Sequence, residues 1–160
     1  MPKTPLQLAS GLYFEDKDTP KWLKEYGQKV YELLKLQFFT VNVHYVNRKT
    51  ANHRIKKIGY DPLLRTQIAC ACVDPVYLVA NLFFVKDHAG YPLGNDSESK
   101  YIVFHEFLHI KLRYHTFDKV RLALDTDVGD EEKLIRIEEE TCESMLSIFD
   151  TLGAFSGAFA

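Results

Sequence analysis

Between Tyr101 and Leu112 the chain places Ile102, Val103, Phe104, Phe107, Leu108, Ile110 and Leu112, apolar positions that cover nearly every side of one helix. A helix that is apolar all round is either buried or membrane-spanning, and about 14 residues are too few to span. Asp96 or Ser97 offers an N-cap and Glu98 an acidic first turn, both favouring a helix start there. A second helical pattern begins near Glu131, capped by Asp130 or a neighbour, and runs to Thr151 with Leu134, Ile135, Ile137, Met145, Leu146, Ile148 and Phe149 as its apolar stripe. A third opens at Pro20 behind Asp18 or Thr19 and runs to about Leu36, with Trp22, Leu23, Tyr26, Val30, Leu33 and Leu34 at helical spacing. Residues 38–46 alternate as a strand does, and residues 67–73 and 76–86, split by Asp74 and Pro75, are rich in β-branched and aromatic side chains. Residues 87–95, with Gly90, Pro92 and Gly94, read as a loop.

The apolar helix contains three polar residues that its burial does not explain, His105, Glu106 and His109, in the order H-E-x-x-H. Histidines four apart project about 40° from one another on one helix face, so both imidazoles reach a single Zn²⁺ at about 2.0 to 2.1 Å. Glu106 stands beside them as the base for the metal's water. With this chain's composition about 0.01 such pentapeptides arise by chance. The plain alternative is a pair of hydrogen-bonded core histidines with a salt-bridged glutamate, since buried polar groups need partners.

Two histidines leave zinc one protein ligand short. His115 lies ten residues beyond His105, the spacing of the H-E-x-x-H-x-x-G-x-x-H class. That class needs a glycine where the chain leaves the helix, and Leu112 stands there. If the helix continues, His115 points away from the His105/His109 face. The other candidates lie in the run Glu138-Glu139-Glu140. A glutamate run is ordinarily a solvated face, but three consecutive residues fan over roughly 200° of a helix, so one turns toward the core. Glu140 shares its face with Arg136, Glu143, Ser144 and Ser147; Glu139 shares its face with Ile135, Cys142, Leu146 and Phe149. Glu138 and Glu139 both remain candidates at this point.

These residues resemble the gluzincin type of zinc peptidase, in which H-E-x-x-H is followed on a second helix by a glutamate ligand in an E-x-x-A-D-like pattern. Glu139-x-x-Cys142-Glu143 matches it, with cysteine in place of alanine and glutamate in place of aspartate. The resemblance implies His105, His109 and Glu139 as metal ligands, and Glu143 as the acid that orients one of the histidines. It also implies that the strand ahead of the metal helix, residues 76–85, is a sheet edge that binds substrate backbone by strand addition. Residues 87–95 would lie beside the metal. The small size resembles the miniature metallopeptidases of bacteria and their viruses.

Composition narrows the rest. At 160 residues, 46% apolar and 26% charged, the chain is an ordinary globular one with a real core. The expected architecture is α+β: one zincin-like domain over residues 1–160, with an arm at 1–17 and an apolar tail at 152–160. In it a first helix packs on a small twisted sheet, followed by the active-site edge strand, the H-E-x-x-H helix and the glutamate helix. The first ten residues have no apolar targeting core and no stretch reaches transmembrane length. Three cysteines, Cys70, Cys72 and Cys142, form no disulfide framework, so the expected location is cytoplasmic. Cys70-x-Cys72 has a metal-binding spacing, though strand neighbours so placed are more often core residues. Net charge is −2, which offers no global attraction to nucleic acid or membrane. Locally, Arg48, Lys49, His53, Arg54, Lys56 and Lys57 form a basic segment that either contacts phosphates or is a solvated loop.

The expected activity is zinc-dependent hydrolysis of a peptide or protein substrate, with Zn²⁺ as cofactor and Glu106 as the base that takes the water's proton and passes it to the leaving amine. Tyr114 or His115 is the nearest candidate to stabilise the oxyanion. Two alternatives accompany it: a non-catalytic sensor or protein-binding module on a peptidase-like fold, and a DNA-associated protease that uses the basic segment 48–57.

Overall fold

The computed structural model describes residues 10–90, 93–124, 131–153 and 155, with the side chains of 116–124 and 131–134 left aside. Its elements run β1 (Gly11–Phe14), α1 (Lys21–Leu33), β2 (Thr40–Val46), α2 (Arg48–Lys57), β3 (Ala69–Asp74), β4 (Val79–Val85), α3 (Ser97–Leu124) and α4 (Glu131–Thr151). The strands form one mixed sheet in the order β1-β2-β4-β3, with β1 parallel to β2, β2 parallel to β4, and β3 antiparallel to β4. This is a small α+β domain.

Helices cover both faces of the sheet. Leu82 and Phe84 of β4 and Val41 and Val43 of β2 join Leu23 and Val30 of α1, Phe104, Phe107 and Leu108 of α3, and Cys142 and Leu146 of α4 in the larger core. Phe83 and Val85 face the other way, with Ala51 and Ile55 of α2. A strand buried on both faces reads as a nearly continuous apolar run, as Val79–Val85 does apart from Asn81.

That position overturns one expectation. Residues 76–85 were to be a sheet edge, yet β4 is paired on both sides; the edge beside α3 is β3, which packs directly on that helix. Within the expected arm, Gly11–Phe14 form β1, and residues 1–9 lie outside the described ones. The basic segment is a helix, begun by Asn47, whose side chain accepts from Thr50 N at 2.9 Å. Two of its cations hold the fold. Arg54 is bidentate to Asp16 at 3.0 and 3.1 Å, and Arg48 donates to the carbonyls of Leu64 and Gln67 at 2.8 and 2.6 Å. Lys49, His53, Lys56 and Lys57 are exposed.

Both site-bearing helices differ from their sequence patterns in instructive ways. Asp96 caps α3 through Ser99 N at 2.8 Å, and the helix then runs 28 residues, twice the expected length. On α4 the side chains facing the core are Glu138, Cys142, Met145, Leu146 and Phe149, whereas Ile135, Ile137 and Ile148 are exposed. Of the tail, Phe155 is buried against the rings of Tyr101 and Phe104 at 5.2 and 5.6 Å; residues 154 and 156–160 lie outside the described ones. No described helix is long and apolar enough to cross a membrane.

Candidate metal centre

Tyr101, His105, His109 and Arg113 recur every four residues along α3, so they form a stripe with steps of about 6 Å. Their partners on α4 run in the opposite sense. Tyr101 Oη donates to Glu143 Oε2 at 2.6 Å, and His105 Nδ1 lies 3.2 Å from Glu143 Oε1. His109 Nδ1 donates to Glu138 Oε1 at 2.9 Å, and Arg113 donates to both oxygens of Glu138 at 2.8 and 3.2 Å. The helices are thus antiparallel, and each histidine has its Nδ1 turned to a carboxylate.

With both Nδ1 atoms so engaged, both Nε2 atoms are left to face one another, 2.9 Å apart. Glu139 completes the group: its Oε1 is 3.0 Å from His109 Nε2 and its Oε2 is 3.6 Å from His105 Nε2. Two imidazole lone pairs and a carboxylate repel one another unless a cation or a proton lies between them. Three ligands at 2.0 to 2.1 Å from a tetrahedral zinc stand about 3.3 Å apart, and the separations here, two of them to different oxygens of Glu139, are of that order. The donor set of two imidazoles and one carboxylate suits zinc. Cys142 Sγ is a further donor, within 4.8 Å of the two histidines' ligand nitrogens; it is buried and donates to the His105 carbonyl at 3.8 Å.

The electrostatics follow from this crowding. Burial, helped by the charge on His109, lowers the His105 pKa against the pull of Glu139 and Glu143. Burial also opposes protonation of His109, but the bond to Glu138 and the charges of Glu106 and Glu139 outweigh it and raise its pKa. Burial would raise Glu138, yet His109 and Arg113 hold it below the usual carboxylate range. Tyr101 is pushed upward, first by burial and then by its bond to Glu143, so it stays a donor.

Glu106 differs from the other acids. It is 8% exposed and makes no hydrogen bond to any described residue. Burial pushes its carboxyl up to about 7, with the charge of His109 opposing and that of Glu139 reinforcing the shift.

The candidates named from sequence are distributed as follows. His105, His109, Glu139 and Glu143 come together with Glu106 beside them. Glu139 is nevertheless half exposed, with 52% of its side-chain surface open, and Glu138 is the buried acid, contrary to the apolar face expected for Glu139. Helix α3 continues through Leu112 and His115, so His115 does not swing to the metal position; it is exposed, its ring 5.5 Å from that of Tyr114. Tyr114 packs on Phe38 and Phe39 at 4.7 and 6.0 Å and is not brought together with the histidine stripe. Of the expected loop, residues 91 and 92 lie outside the described ones, and residues 93–95 lead into the start of α3, about 12 Å along the helix axis from His105. There a groove of about 480 Å³ is lined by His88, Ser97, Glu98, Tyr101, Ile102, Asp150 and Phe155, with Thr66 and Ile68 ahead of β3. Cys70 and Cys72 belong with the α2 cluster, where the neighbouring Cys72 thiol, ahead of burial, raises the Cys70 pKa. Arg113 and Tyr101 were missed, although each lies one turn from a motif histidine on the same face.

Compared with known proteins, the chain matches no family model, no curated protein and no solved structure.

Proposed function

We propose that this chain is a zincin-like, zinc-dependent metallopeptidase, with His105, His109 and Glu139 as ligands and Glu106 as general base. The observation that carries the reading is the buried Glu106 carboxyl, which has no hydrogen-bond partner among the described residues and stands next to three donors converging on one point. An unpartnered buried carboxylate is a cost that packing alone would not retain. Bound zinc supplies Lewis acidity toward a carbonyl oxygen and lowers the pKa of a water to about 7. Glu106 would then take the proton that the water loses and pass it to the leaving amine. Glu138 and Glu143 keep the two imidazoles turned so that Nε2 faces the metal position.

Strand β3 suits a substrate backbone. Val85 N donates to Ile68 O, so alternate residues from Ile68 onward bond to β4, and Ala69, Ala71 and Val73 turn their backbone groups outward; Tyr60 Oη reaches Val73 O from that side at 3.3 Å. An extended peptide added there would run beside α3, and the groove next to Tyr101 has room for one of its side chains.

One observation favours a second reading. Cys142 Sγ lies near enough to the histidine nitrogens to serve as a fourth ligand, which would close the site and make zinc a structural clamp in a binding module. Two measurements test the proposal. Purified protein is assayed for zinc and for cleavage of a peptide library by mass spectrometry, beside Glu106→Gln. One zinc in both proteins and cleavage in the wild type alone is the expected result; cleavage by Glu106→Gln at the wild-type rate refutes the assignment. Cobalt substitution addresses the second reading: a thiolate-to-metal charge-transfer band that disappears in Cys142→Ala would establish the closed site.

A further inference from the structure

We infer that Arg113 is a positioning residue of this centre: by clamping Glu138 it fixes the His109 ring with Nε2 toward the metal and keeps Glu138 itself out of the ligand set. The inference rests on the zinc reading above. Arg113 Nε donates to Glu138 Oε2 at 2.8 Å and Nη2 to Oε1 at 3.2 Å, while the same Oε1 accepts from His109 Nδ1 at 2.9 Å. Both oxygens are therefore occupied, on a side chain only 7% exposed. A planar guanidinium bonded at two points fixes the plane of a carboxylate, which the point charge of a lysine does not. A carboxylate held in that plane fixes the imidazole that donates to it, with hydrogen on Nδ1 and the lone pair on Nε2.

The same clamp separates two chemically identical neighbours. Glu138 and Glu139 project about 100° apart on α4, and either is long enough to turn toward a cation between the histidines. Glu138, bound by Arg113, is held on the far side of the His109 ring. Glu139 has no such clamp and presents its oxygens to both Nε2 atoms. Position on the helix alone would favour the buried acid; the arginine reverses that choice.

Zinc affinity, measured by competition with a chromophoric chelator, tests this in wild type, Arg113→Ala, Arg113→Lys, Glu138→Gln and the Arg113→Ala/Glu138→Gln double variant. Loss of such a supporting contact typically weakens metal binding 10- to 100-fold, and a loss in that range is expected for Arg113→Ala and for Glu138→Gln. The double variant should bind no more weakly than Glu138→Gln, because Arg113 acts only through Glu138, and Arg113→Lys should recover part of the loss. Wild-type affinity in Arg113→Ala, or a double variant that loses the product of both single effects, overturns the inference. A second readout stands apart from zinc: nitrogen-15 imidazole spectra of the metal-free protein at alkaline pH should show His109 as one Nδ1–H tautomer, mixed in Arg113→Ala. An unchanged tautomer in Arg113→Ala also overturns it. If His105→Ala and Glu139→Ala bind zinc as the wild type does, the zinc reading fails instead, and the tautomer spectra alone decide the role of Arg113.

Discussion

Replacing Glu106 by glutamine should make the metal-free protein more stable. Folding carries this carboxyl from water to a site where it is 8% exposed and has no hydrogen-bond partner among the described residues. Its pKa rises from the ordinary 4.5 to about 7, and each unit of such a difference is about 1.4 kcal/mol. At about pH 8 the group is ionised against its surroundings, at a cost of roughly 3 kcal/mol. The sign is that of a raised carboxyl pKa: the folded state binds the proton more tightly than the unfolded chain, so stability falls as pH rises through the interval from 4.5 to about 7. Glutamine keeps the shape and removes the charge, although its amide still needs partners, so a net gain of about 2 kcal/mol is expected. For a chain of this length that raises the melting temperature by roughly 4 to 8 °C. The assay is thermal and urea unfolding in chelator near pH 8, repeated near pH 5, where the two proteins should nearly coincide. If Glu106→Gln is equal to or less stable than the wild type at the higher pH, the carboxylate has a compensating partner and does not store energy for catalysis.

Glu139→Ala should weaken zinc binding more than Glu138→Ala, since a lost ligand costs more than a lost orienting contact; chelator competition giving the reverse ranking would move the ligand by one residue. Arg54→Ala should destabilise by about 2 to 4 kcal/mol, because it strands Asp16, whose side chain is 11% exposed, and removes a donor to His44. Lys56→Ala, on the exposed face of α2, should stay within about 0.5 kcal/mol, and urea midpoints that rank the two alike would contradict the assignment of Arg54 to the fold. His44 is held below its ordinary 6.5 chiefly by burial, against its bond to Asn81. The unfolded chain therefore takes up that proton first, and this part of the stability is complete above 6.5 and lost as pH falls toward the lower folded value. Urea midpoints should fall less steeply with acid in His44→Gln than in wild type; parallel curves would remove His44 from the pH response. Ala71→Pro removes a backbone donor that faces away from β4, so the fold should survive while peptide cleavage drops at least tenfold; full cleavage would take β3 off the substrate path.

Helices α1, α3 and α4 and strands β2, β3 and β4 were legible because burial imposes a period on side chains, and that period survives in the sequence; α2, taken as a basic segment or solvated loop, and β1, inside the expected arm, were not. The strand order was less so, although a signal existed: β4, apolar except for Asn81, reads as a strand covered on both faces, whereas the small side chains of Ala69, Cys70 and Ala71 suit an edge packed on a helix. The pattern for α4 held at Met145, Leu146 and Phe149 but failed elsewhere, with the side chain of Leu134 outside the described residues. Ile135, Ile137 and Ile148 look like a core stripe, yet the core takes Glu138 and Cys142, because the facing helix supplies His109 and Arg113 to satisfy a buried acid. Such a choice depends on the register between two helices far apart in sequence, and no local period encodes it. For the same reason H-E-x-x-H was readable, being contained in one helix, while the Arg113–Glu138 clamp was not.

That register also bears on how three neighbouring glutamates come to differ. Glu140 is exposed, Glu139 is half exposed at the rim, and Glu138 is buried. Burial by itself would make Glu138 the strongest ligand, since charge interactions grow as water is excluded. Arg113 stands one turn beyond His109, where it neutralises the buried acid before any metal does, and the rim acid is left facing the histidines. On the zinc reading, this puts the metal at the boundary between protein and solvent: Glu106 lies on its closed side, where a proton is held away from water, and Glu139 on its open side, where a substrate can approach along β3. A ligand set built on Glu138 would draw the metal inward and away from that edge. On that reading the arginine would contribute to access as well as to affinity, and the same substitution that frees Glu138 should shift the site from an open toward a buried geometry.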